Sequence, residues 1–191
     1  MKYLGKHSIA WYLRLALNIA WYAGIALTIL AVLFTGLLIG FGPPPGLRSP
    51  QFTLETELLQ VVFPAAAVQE PKVMIIAFMA FGLIMLCLGL GILQQVRRIF
   101  ATLAAGSPFG LENARRISRI GLLIFAGAGV QFLSGLVLGW LVMENVTVPG
   151  VVFHGKGNLN IGGIFMGLVL LVLAEIFRQG ALLQAEQDLT I

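Results

Sequence analysis

Four long runs without a charged residue dominate this sequence and leave few folds open to it. The first extends from Leu15 to Leu47, its helical part expected to end near Phe41 ahead of the Gly42-Pro43-Pro44-Pro45-Gly46 break. The second covers Val73 to Gln94, the third Ile120 to Met143, and the fourth, the shortest, Leu159 to Ala174. The second run alone would rise about 33 Å as a helix, enough for a bilayer core of about 30 Å. In hydrocarbon a helix satisfies its backbone N–H and C=O groups internally, so such runs read as membrane helices. Composition agrees. Apolar residues make up 59% of the 191 and charged residues 10%, with a mean hydropathy of +0.96, whereas soluble domains carry about 25% charged residues. The longest stretch outside the runs is about thirty residues, below what folds alone as a catalytic domain.

The expected architecture is an all-α membrane protein with four transmembrane helices in one bundle, forming a single domain over residues 1–191. The helices are expected at about 12–41, 73–99, 111–143 and 159–185. Outer loops at about 42–72 and 144–158 would form a small extracytoplasmic cap. The first run is too long for a cleaved signal, whose apolar region spans about 7 to 15 residues, so it reads as a retained anchor. The fourth run is followed by Glu175 and Arg178, so this helix must thin the membrane or carry Glu175 at its edge.

Orientation follows from the 12 basic residues. Lys2, Lys6, Arg14, Arg97, Arg98, Arg115, Arg116, Arg119 and Arg178 fall on one side of the four spans, and Arg48, Lys72 and Lys156 on the other. The excess places both termini in the cytoplasm. Trp11, Tyr12, Trp21, Tyr22 and Trp140 lie near span ends, where aromatic side chains settle at the headgroup level. A net charge of +4 concentrated beside apolar runs points to lipid contact rather than direct nucleic-acid binding. The outer segment QFTLETELLQVVF is compatible with either a short amphipathic helix or a strand. NVTVPGVVF suits a short hairpin or an irregular cap around its Pro-Gly turn. Asn145-Val146-Thr147 fits a glycosylation triplet that chance also produces.

Chemistry-bearing clusters are scarce. Cys87 lies alone in an apolar run, and His7 and His154 are expected on opposite sides of the membrane, which rules out one shared metal site. No HExxH, phosphate loop, paired intramembrane carboxylates or Ser/His/Asp set is present. No catalytic residue and no cofactor are therefore expected. Asn18, Gln131 and Ser134 are too mild for an ion relay, which weakens a small transporter or channel subunit as the second reading; a lipid-modifying enzyme is the third. The small-residue pairs Gly36/Gly40, Gly135/Gly139 and Gly163/Gly167 have the spacing of close helix approach, within one bundle first and between copies of a homo-oligomer second.

The inner loop QQVRRIFATLAAGSPFGLENARRISRIG carries the most information. Arg97 and Arg98 suit a helix carboxyl end and anionic lipid. Gly106, Ser107 and Pro108 read as a stop, a cap and a first turn. Glu112 precedes Arg115 and Arg116 by three and four residues, the favourable order for helix pairs. In the carboxyl segment LAEIFRQGALLQAEQDLTI, Glu175 and Arg178 share a helix face and form a candidate ion pair, the alternative being a pair between Glu175 and Arg97, Arg98 or Arg115 across the bundle. Arg115, Arg116, Arg119 and Phe109 of the loop, with Glu186 and Asp188 of the tail, make a candidate docking face for a protein.

Three segments, QVRRIF at 95–100, GSPFGLENARRISRIG at 106–121 and LAEIFRQGALLQAEQDLTI at 173–191, resemble a bacterial membrane family catalogued as domain of unknown function 2975. The resemblance covers the second half in motif detail and the first half in helix plan. It implies a four-helix protein of the bacterial cytoplasmic membrane, frequently encoded beside a very small helix-turn-helix regulator. The expectation is a membrane-embedded regulatory or sensory component that binds or sequesters such a cytoplasmic DNA-binding partner.

Overall fold

The structure, a computed structural model, describes residues 9–42, 52–55, 60–63, 71–104, 110–146 and 157–188. It contains helices α1 (Ile9–Phe41), α2 (Pro71–Ala104), α3 (Leu111–Asn145) and α4 (Ile161–Asp188), with strands β1 (Phe52–Glu55) and β2 (Gln60–Phe63) between α1 and α2. All four helices are long and apolar enough to cross a membrane. At 1.5 Å per residue they are about 40 to 50 Å long, beyond a bilayer core of about 30 Å. Their outward faces are apolar: Leu30, Leu33, Phe78, Phe165 and Val172 are all exposed. Lipid, rather than a protein core, is the solvent that such a surface matches.

Local chemistry sets the helix ends. Gly42 adopts φ +77° and its N–H donates to the Leu38 carbonyl at 3.0 Å, ending α1 in the left-handed conformation that only glycine takes without cost. Pro71 opens α2, where a missing N–H loses nothing. Asn160 caps α4, its Oδ1 accepting from Gly163 N at 2.8 Å. Three hydroxyls inside the spans are satisfied by their own helix. Thr28 donates to the Gly24 carbonyl at 2.8 Å, Thr35 to Ala31 at 2.7 Å, and Ser134 to Gln131 at 2.8 Å.

The chain divides into two compact units. One comprises residues 1–28, 85–129 and 160–191. In it α1 and α2 run antiparallel, with Gly24 against Leu90, and α2 and α3 likewise, with Gly91 against Leu123. Gly121 of α3 and Gly167 of α4 meet backbone to backbone: a carbon added at Gly121 would stand 3.0 Å from the Gly167 carbonyl oxygen. The buried positions of α4 are Gly167, Ala174 and Ala181, seven residues apart, so α4 presents a seam of small residues. Ala114, Ile117, Ile120 and Ala128 form the corresponding buried stripe on α3.

The second unit comprises residues 29–84 and 130–159. The segment that suited either helix or strand is a β-hairpin, pairing Phe52 with Phe63, Thr53 with Val62, Leu54 with Val61 and Glu55 with Gln60. Its β-branched and aromatic residues favour a pleated ladder. The NVTVPGVVF cap lies mostly outside the described residues. Gly157, just beyond it, sits against the Phe132 and Leu136 side chains, halfway along the uncharged Ile120–Met143 run of α3 rather than past its end. Non-helical backbone at such a depth is tolerated where protein packs on it, as the Phe132 ring does.

Candidate functional site

The α2–α3 turn is tied together by one arginine. Asn113, at 2% exposure, directs its Oδ1 to two donors, the Thr102 hydroxyl at 2.9 Å and Arg116 Nη1 at 3.0 Å. The same Nη1 donates to the Arg98 carbonyl at 3.0 Å, and Arg116 Nη2 pairs with Glu112 Oε2 at 2.6 Å. Arg116 thus joins two helices, adding a donor from α3 to a carbonyl in the last two turns of α2. Its side chain is 14% exposed. Of the three loop arginines in the candidate docking face, this one is committed to holding the turn.

Arg115 and Arg119 point elsewhere. Both are exposed, and both line a groove of about 530 Å³ between α3 and α4. Its floor is apolar, from Leu111 and Ala114 on one helix to Leu171, Ala174 and Leu182 on the other. Ser118 adds a hydroxyl, and Glu175 and Arg178 complete the rim. The latter two form the expected pair, with Arg178 Nη2 2.7 Å from Glu175 Oε1 and Arg178 Nε donating to Glu175 Oε2 at 2.8 Å. Gln179 also donates to Glu175 at 3.0 Å. One carboxylate therefore answers one of three guanidiniums, and the groove keeps a positive excess from Arg115 and Arg119 over an apolar floor.

Phe109 lies outside the described residues, as do the side chains of Glu186 and Asp188, although α4 is helical through Asp188. Sequence reasoning did not single out Asn113, Thr102, Ser118 or Gln95. The pattern around Asn113 offered a weak cue, a polar residue between Glu112 and Arg116 at the start of an amphipathic turn. Gln95 offered none. It is 8% exposed, and its Oε1 has no hydrogen-bond partner among the described residues. Among the described residues, no three His, Cys, Asp or Glu side chains gather in a metal-binding group.

A family model described as a protein of unknown function, DUF2975, matches residues 55–191, a span that takes in α2, α3, α4, the turn held by Arg116 and the whole α3–α4 groove. No curated protein and no solved structure matches the chain. Because the match covers well over half of the sequence and contains every residue of the groove, the chain belongs to the DUF2975 family.

Proposed function

We propose that this protein is a regulatory component of the bacterial cytoplasmic membrane, with both termini in the cytoplasm, that binds a small helix-turn-helix regulator in the α3–α4 groove. The observation that carries the reading is the pair of exposed guanidiniums, Arg115 and Arg119, above an apolar floor. Lipid headgroups alone would call for charge at the membrane boundary. An apolar floor beneath the charge suits a folded segment with acidic and aliphatic side chains on one face. A regulator that offers an acidic face away from its DNA-reading helix would be steered by the arginines and seated by Leu111, Leu171 and Leu182.

The test is capture of the purified neighbouring regulator by full-length protein in detergent, comparing wild type with Arg115→Glu/Arg119→Glu. Charge reversal should abolish capture, and raising the salt concentration should weaken it in the wild type. Undiminished capture by a folded double variant sinks the reading and returns these arginines to the role of topology signals.

A further inference from the structure

A second cluster of cations lies between α1 and α2, away from the groove. Arg97 Nε donates to Asn18 Oδ1 at 2.9 Å, across 79 residues of sequence. Its guanidinium carbon stands 5.1 Å from the centroid of the Trp21 ring. An amide on one edge and an indole on one face fix the plane of the guanidinium. Among the described residues the ion pairs are Glu112–Arg116 and Glu175–Arg178, so no described carboxylate neutralises Arg97. Arg97 Nη1 and Nη2 donate to no described residue, leaving the fork edge that recognises two oxygens of one anion.

Arg97 lines a cleft of about 360 Å³ together with Asn18, Trp21, Gln94, Arg98 and Phe100. Arg98 is exposed and lines the same cleft, so a second cation borders it. The cleft has the size of a small-molecule site, and its polar lining suits an anion, two cations with the amides of Asn18 and Gln94 beside them. Its depth is informative. Arg97 stands three residues beyond the uncharged Val73–Gln94 run, about 4.5 Å along the helix, so a bilayer core ending with that run would set its guanidinium among the headgroups. Trp21 is the aromatic type that settles at this level.

We infer that the α1–α2 cleft binds a phosphate group, held between the Nη edge of Arg97 and the guanidinium of Arg98. Asn18 and Trp21 position Arg97, and Gln94 offers an amide donor. The phosphate is either that of a membrane phospholipid or a free phosphate from the aqueous phase. Both present the same tetrahedral oxygens to the fork.

Full-length protein in detergent is titrated with dioleoyl phosphatidylglycerol, with dioleoylglycerol, which has the same chains and no phosphate, and with inorganic phosphate; saturable protection against thermal unfolding is read. Protection by phosphatidylglycerol but not by dioleoylglycerol or inorganic phosphate identifies a lipid phosphate. Protection by inorganic phosphate identifies a free one. In either case Arg98→Gln, whose side chain holds no other element in place, should raise the half-saturating concentration about tenfold, the equivalent of one charge-assisted contact. Arg97→Lys, which keeps the charge and loses the fork, should raise it as well. No saturable protection by either phosphate probe, or an unchanged midpoint in Arg98→Gln, overturns the site whatever the Arg97 variant does. Capture of a regulator at Arg115 and Arg119 does not enter this readout, so the two readings fail separately.

Discussion

Three arginines within five residues, Arg115, Arg116 and Arg119, have different environments, and the difference is measurable. Arg116 serves Asn113, the Arg98 carbonyl and Glu112 at once, whereas Arg119 extends into an open groove. Arg116→Ala should therefore lower stability by about 1–3 kcal/mol through the lost bonds to Asn113 and the α2 carbonyl, while Arg119→Ala should stay within about 0.5 kcal/mol of wild type. Thermal unfolding of the two variants in one detergent checks this, and equal losses would mean that the network around Asn113 survives without Arg116. Gln95 offers a test of the opposite sign. Its buried Oε1 has no partner among the described residues, so Gln95→Met, of similar length and without the amide, should raise stability by about 1 kcal/mol. A fall instead would show that the amide is bonded in the membrane-embedded protein.

Among elements, the α3–α4 crossing depends on absent side chains. Gly121 and Gly167 bring two backbones together, and a carbon at Gly121 would press on the Gly167 carbonyl oxygen at 3.0 Å and on Leu171 at 3.3 Å. Gly121→Val should cost about 1–3 kcal/mol by forcing the helices apart, with a visible loss of monodispersity in detergent. Gly36 and Gly40 have the same spacing motif on α1 but face open space in this chain. Gly36→Ala and Gly40→Ala should be tolerated if these glycines serve no contact, because alanine is the better helix former. Loss of an oligomer on size-exclusion chromatography in those two variants would assign them to a contact between copies. The tight end of α4 also has a local origin: Asn160 caps it, so Asn160→Ala should cost about 1 kcal/mol.

At the level of the whole molecule, orientation rests on the distribution of basic residues, and labelling decides it. With Cys87 replaced, cysteines at Ser49 and His154 should react with an impermeant thiol reagent on intact cells, and cysteines at Ser107 and Ala185 should not. Reaction at Ser107 from outside would invert the arrangement and move the α3–α4 groove away from any cytoplasmic partner. Gly157 is a poor reporter, because a side chain there would meet the Phe132 ring. Protection at Gly157 with reaction at His154 would confirm that the chain dips along α3 before α4 begins.

The four apolar helices are legible in order along the chain, because transfer of apolar side chains and internal satisfaction of the backbone depend on local composition. The sequence by itself also determined the Glu175–Arg178 pair, since residues three apart on a helix meet whatever surrounds them. The tertiary structure decided what depends on distant partners. Which loop arginine is spent and which are free follows from Thr102 and Arg98 lying across the turn from Asn113 and Arg116. The pairing of residues 52–55 with 60–63 follows from a ladder that neither periodicity revealed. The Asn18–Arg97 bond and the meeting of Gly121 with Gly167 join residues that no short window of sequence contains. Hydrophobicity is additive along the chain and can be read in order, whereas a hydrogen bond between helices exists only once packing has brought donor and acceptor together.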